Sequence, residues 1–74
     1  MRWRILEDGH KTLVDAQGKI IGRVVEQEGN GHAAYHITPD RTKRTPGATK
    51  RELLGHFVEE NAAKRAVERR VDQQ

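Results

Sequence analysis

Leu53-Leu54-Gly55-His56-Phe57-Val58-Glu59-Glu60-Asn61-Ala62-Ala63-Lys64-Arg65-Ala66-Val67-Glu68-Arg69-Arg70-Val71 is the stretch on which the fold turns. Its second half has a helical period. Positions 59, 62, 63, 66, 67, 70 and 71 fall on one face and hold Glu59, Ala62, Ala63, Ala66, Val67, Arg70 and Val71. The central occupants are small, so the helix can lie close on a sheet. Glu59 and Glu60 open it and Arg69 and Arg70 close it, both complementing the helix dipole. Val58 stands where a polar cap is preferred. The first half reads as a short strand over about 52–57, feeding a helix over about 59–71. A rival reading begins the helix at Thr49, where Thr49-Lys50-Arg51-Glu52 fits a capping box. It would put Gly55 in mid-helix at a cost of ~1 kcal/mol.

Working outward, Arg2, Trp3, Arg4 and Ile5 alternate charged and apolar, which predicts a half-buried strand over about 2–7 with Trp3 and Ile5 inward. Glu7-Asp8-Gly9 is a turn signal, 11–14 a second strand, and Asp15-Ala16-Gln17-Gly18 a turn in which Gly18 supplies a positive φ. Residues 19–27 are rich in β-branched side chains, and Gly22 among them predicts a bulge or a close backbone approach. Gly29-Asn30-Gly31 is a hairpin signal. A strand over 32–38 returns, with Ala33, Tyr35 and Ile37 on one face and Ala34 and His36 on the other, until Pro39 ends it. The polar loop that follows contains Thr45-Pro46-Gly47, a turn with φ pre-set by proline.

The expected architecture is one α+β domain over residues 1–74: an antiparallel β-meander of four to five short strands with one C-terminal α-helix packed on one face. The expected core is Trp3, Ile5, Leu13, Ile20, Val24, Tyr35, Ile37, Leu53, Phe57, Ala63, Val67 and Val71. In a chain of 74 residues of which 34% are hydrophobic, either the core is small or a second copy completes it. The charged residues are as numerous and mixed in sign, which argues against disorder.

Composition excludes several chemistries. There is no cysteine and no serine, so disulfides, thiolate metal sites and Ser or Cys nucleophiles are out. No apolar run approaches the ~20 residues that span a membrane. Met1-Arg2-Trp3-Arg4 begins a charged segment lacking the apolar core of a signal peptide, so a cytoplasmic location is expected. The carboxylates Asp8, Asp15 and Asp40 sit in turns and form no dyad. Among His10, His32, His36 and His56, the pair His32 and His36 lie ~13 Å apart along a strand. His36 and His56 become neighbours only if their strands pair them. No metal, no cofactor and no enzymatic activity are expected.

The order Val14-Asp15, Gly18-Lys19-Ile20-Ile21-Gly22, Tyr35, Leu54-Gly55-x-Phe57, Ala63-Lys64 and Val67-Glu68 resembles a class of short phage and prophage proteins. A strand ending in Phe, followed by a helix with Ala-rich contacts, is also similar to AP2-like and integrase arm-binding domains. The resemblance covers about residues 12–70. It implies a bacterial setting and a sheet that reads a DNA groove.

Two surfaces are candidates for binding. Arg41, Lys43, Arg44, Lys50 and Arg51 crowd an acid-free segment with Thr42, Thr45 and Thr49 interleaved, and Arg65 and Arg69 add to it from the helix. These residue types contact phosphate oxygens, so nucleic acid, DNA first, is the expected partner. The alternative is a protein-binding inhibitor of a host factor or an anti-defence protein. It would use the sheet face away from the helix, where Ile21, Val25, Ala34 and Leu54 are expected to be exposed. A homodimer through that face would account for the same residues.

Overall fold

The computed structural model describes residues 1–6, 9–27, 29 and 31–73. Five strands and one helix follow one another: β1 Arg2–Ile5, β2 Lys11–Val14, β3 Ile20–Gln27, β4 Gly31–Pro39, β5 Thr49–Phe57 and α1 Glu60–Asp72. The strands form one antiparallel sheet in sequence order, β1-β2-β3-β4-β5, as expected of a meander. Residues 49–57 are a strand, so the rival longer helix does not form. Gly55 decides this locally. Its φ of +152° is a conformation that L side chains rarely adopt, and it sits beside a bulge in β5. The helix starts one residue later than expected, with Glu59 as an N-cap that makes no side-chain cap bond.

The turns follow their sequence signals where they are described. Gly18 holds φ +81°, and the Asp15 carboxylate accepts the N–H of Gln17 and of Lys19, both at 2.9 Å. Glu7 and Asp8 of the first turn, and Asn30 of the Gly29-Asn30-Gly31 signal, lie outside the described residues.

The helix lies over β3, β4 and β5. Leu13, Val24, Ala34, Ala63 and Val67 form the buried cluster, with Trp3, Ile21, Leu54, Phe57, Ala66 and Val71 packed against it. The close approach expected at Gly22 is real. A methyl group built there would overlap Val67 Cγ1. Only glycine lets the helix settle at that height. Trp3 reaches the helix through its indole N–H, which donates to Glu68 Oε1 at 2.9 Å, while the Lys64 ammonium lies 5.5 Å from the centre of its ring.

Cross-strand partners share a sheet face, and the ladder shows that the expected faces of β4 are exchanged. Gly22, His36 and Glu52 are successive partners, as are Val24, Ala34 and Gly55, and all point toward the helix. Tyr35 and Ile37, expected in the core, are half-buried on the opposite, open face. Leu53 and Ile20 join them there at 51% and 44% exposure, and Ile5 on the edge strand β1 is 74% exposed. The physical reason is the closeness of the helix. With Ala63 and Val67 pressed on Gly22 and Ala34, the space between the layers has no room for a tyrosine.

Candidate nucleic-acid interface

Strand β4 pairs with β3 only from Gly31 to His36. Beyond that, Ile37, Thr38 and Pro39 pair with Arg51, Lys50 and Thr49 alone, so the end of the β4–β5 hairpin is a two-stranded ribbon. Its tip spans residues 40–48. The Asp40 N–H donates to Ala48 O at 2.9 Å and the Ala48 N–H to Thr45 O at 3.2 Å, while Gly47 takes φ +77°. Asp40 is the one carboxylate of this tip, and its Oδ1 is held by Thr42. It accepts the Thr42 N–H at 3.0 Å and the Thr42 hydroxyl at 2.6 Å, and these bonds hold its pKa below the usual 3.8. Residues 41–47 are all exposed, so Arg41, Lys43 and Arg44 stand in solvent at the tip.

Strand alternation sends Lys50 and Arg51 to opposite faces of the ribbon. Arg51 stacks over Tyr35 on the open face, 5.0 Å from the ring centre. Lys50 is on the helix side, where a cleft of about 380 Å³ is lined by His36, Thr38, Lys50, Glu52 and Arg70. Arg70, in the last helical turn, donates from Nε to Glu52 Oε1 at 2.8 Å. That pair fixes the C-terminal end of α1 against the base of the ribbon. His36 lies beneath it, 3% exposed, with Nδ1 4.0 Å from Glu52 Oε1. Burial first, and then the Arg70 guanidinium, hold the His36 imidazole below its ordinary value of 6.5, with the Glu52 carboxylate acting the other way.

The fold therefore gathers Arg41, Lys43, Arg44, Lys50 and Arg51 at one end and adds Arg70 to them. Arg69 shares the last helical turn, while Arg65 is one turn back; both are exposed on the solvent side of α1.

The proposed protein-facing residues are placed differently from the expectation. Ala34 is fully buried in the core cluster, and Ile21 and Leu54 are packed against it. Both are the extra residue at an irregularity of the ladder, where the register skips one position and turns them to the helix side. Val25 alone of the four belongs to the open face, and it is half-buried. His36 and His56 are not neighbours: His36 pairs with Glu52 and His56 with Ala33, on opposite faces. Among the described residues no group of three or more His, Asp or Glu side chains is arranged to hold a metal ion. Among the described residues no helix is long and apolar enough to cross a membrane.

Three cations escaped the sequence reading. Arg2, Arg4 and Arg23 lie on the open face of β1 and β3. The signal for Arg2 and Arg4 was present in their alternation with Trp3 and Ile5. Arg23 carried none, because its face depends on the bulge beside it. Comparison with family models, with curated proteins and with solved structures finds no match to this chain.

Proposed function

We propose that this chain is a small phage or prophage accessory binding module, cytoplasmic and without catalytic activity, that contacts nucleic-acid phosphates through the basic end of its β4–β5 hairpin. The observation that carries this reading is the ribbon itself: it extends past β3, bears Arg41, Lys43 and Arg44 on an exposed tip, and has its one tip carboxylate hydrogen-bonded to Thr42. Lys50, Arg51 and the α1 terminus with Arg69 and Arg70 supply further cations around it, with Arg65 at the margin. Such a surface makes sequence-independent phosphate contacts whose strength falls with salt.

The test is a titration of labelled DNA at several salt concentrations. Contacts to three to five phosphates of a duplex give a slope of log K against log salt of about −3 to −4.5. Replacing Arg41, Lys43 and Arg44 together by Glu should abolish binding and leave the circular dichroism spectrum unchanged, since the tip lies outside the core. No binding of any nucleic acid at ~50 mM salt, where screening is weak, would refute the reading.

The second reading, a protein-binding inhibitor of a host factor or a homodimer, is favoured by the exposure of Leu53 and Ile20 on the open face. A solution mass that is monomeric at all concentrations removes the homodimer.

A further inference from the structure

The open sheet face carries a charge pattern of its own. Its strand cations are Arg2 and Arg4 of β1, Arg23 of β3 and Arg51 of β5, with uncharged strand residues between them. Among its described strand residues none is acidic. The two carboxylates in the strands, Glu26 and Glu52, both face the helix, as the ladder partners of His32 and His36. Arg2, Arg4 and Arg23 make no hydrogen bond or ion pair among the described residues, and the Arg23 Nε is buried with no partner. An arginine whose guanidinium is uncommitted on an acid-free surface is suited to an anionic ligand.

One rung crosses the whole sheet. Arg4 pairs with Thr12, Thr12 with Arg23, Arg23 with Tyr35 and Tyr35 with Leu53. At ~4.8 Å per strand this line is about 19 Å long. At its β1 end a hollow of about 500 Å³ is lined by Arg2, Arg4, Val14 and Gly18. Asp15 also borders that hollow, with its Oδ1 accepting the Gln17 and Lys19 amides. Toward its β5 end, the Arg51 guanidinium lies over the Tyr35 ring.

We infer that this face binds a single strand of nucleic acid laid along the rung, with phosphates at Arg4 and Arg23 and a base stacked at the Tyr35–Arg51 pair. The inference rests on the nucleic-acid reading of the hairpin end and names the form of polymer it takes. Three features select this occupant. Arg4 and Arg23 lie on one line and form no ion pair among the described residues, which matches a polyanion. A flexible single strand can lie along the whole rung with its bases turned to the sheet, whereas a duplex keeps its bases paired inside. A planar guanidinium on an aromatic ring is a stacking platform for an unpaired base, and a paired base offers it no free face. Leu53 and Val25 flank the platform with apolar surface for the neighbouring bases.

The experiment compares a labelled oligothymidylate of about 20 nucleotides, longer than a typical ~4–16-nucleotide site, with its duplex, by fluorescence anisotropy. The oligothymidylate should bind at least ~10-fold more tightly at equal salt. Tyr35→Leu, which keeps an apolar side chain and removes the ring, should weaken single-strand binding by roughly 5- to 150-fold, the ~1–3 kcal/mol of one stacked base. Its effect on the duplex should be negligible. Arg4→Gln, at an exposed position without a side-chain partner among the described residues, should lower the single-strand salt slope by about 0.7. Equal affinity for single strand and duplex, with both indifferent to Tyr35→Leu, would overturn this inference while leaving the hairpin reading in place. If neither polymer binds, both fall. A concentration-dependent dimer abolished by Leu53→Lys would also overturn it, by giving the face to a second copy.

Discussion

The tightest point of the molecule is Gly22 beneath Val67, and it offers the sharpest test of the packing. The φ of Gly22 lies outside the left-handed region, so alanine is allowed there by the backbone and refused only by space. A Cβ would overlap Val67 Cγ1, with Leu13 Cβ and Tyr35 O already in contact range at 3.5 Å, so Val67 has to shift to admit it. Overpacking of this kind costs ~1–3 kcal/mol. Replacing glycine returns ~0.4–1 kcal/mol by restricting the unfolded chain. Gly22→Ala should therefore destabilise by about 1–2 kcal/mol, a fall of roughly 4–16 °C in Tm for a domain of this size. Val67 is fully buried. Val67→Ala removes two methyl groups worth ~0.8 kcal/mol each and leaves a cavity, about 2–3 kcal/mol in total. The double variant removes the very atom that clashes and fills part of the cavity with the new methyl group. It should be less destabilised than Val67→Ala alone, and more stable than the sum of the single effects by at least ~1 kcal/mol. Urea unfolding of the four proteins measures this cycle. Additivity within ~0.5 kcal/mol, or a Gly22→Ala protein as stable as the parent, would refute the close approach.

Phe57 is half-buried against the core cluster at the end of β5, so Phe57→Ala should cost less than the ~3–5 kcal/mol of a fully buried ring, about 2–3 kcal/mol; a Tm within a degree or two of the parent would contradict its placement. The depressed pKa of His36 means that the unfolded chain takes up a proton that the folded chain resists, so stability is complete above 6.5 and declines as pH falls below it. His36→Gln should flatten that decline in a urea-midpoint profile, and an unchanged profile would show that His36 does not titrate against folding. Glu60, held below 4.5 chiefly by its hydrogen bond from Lys11, adds a separate loss at lower pH, where Lys11→Met should act instead.

Much of this fold is legible in the sequence because its signals are local. The period of two in Arg2–Ile5, the Asp15–Gly18 turn, the β-branched run around Gly22 and the spacing of Ala62, Ala63, Ala66 and Val67 each depend on a few neighbouring residues. They place five strands and one helix in the right order. The cationic tip is legible for the same reason, since Arg41, Lys43 and Arg44 are adjacent and exposed in a turn. Which side of the sheet receives the helix is not a local property. In β4, Ala33, Tyr35 and Ile37 form one apolar row and Ala34 with His36 another, and hydrophobicity alone favours the bulkier row. The structure chooses the smaller one, because a helix faced with alanine packs closest on Gly22 and Ala34. The irregularities at Ile21 and Leu54 each shift the parity of a strand by one, and a shift of one exchanges the faces of every residue beyond it. Tertiary register thus buried Ala34, turned Ile21 and Leu54 toward the helix and Tyr35 and Leu53 outward, and lined up Arg4 and Arg23 on a face with no carboxylate among its described strand residues.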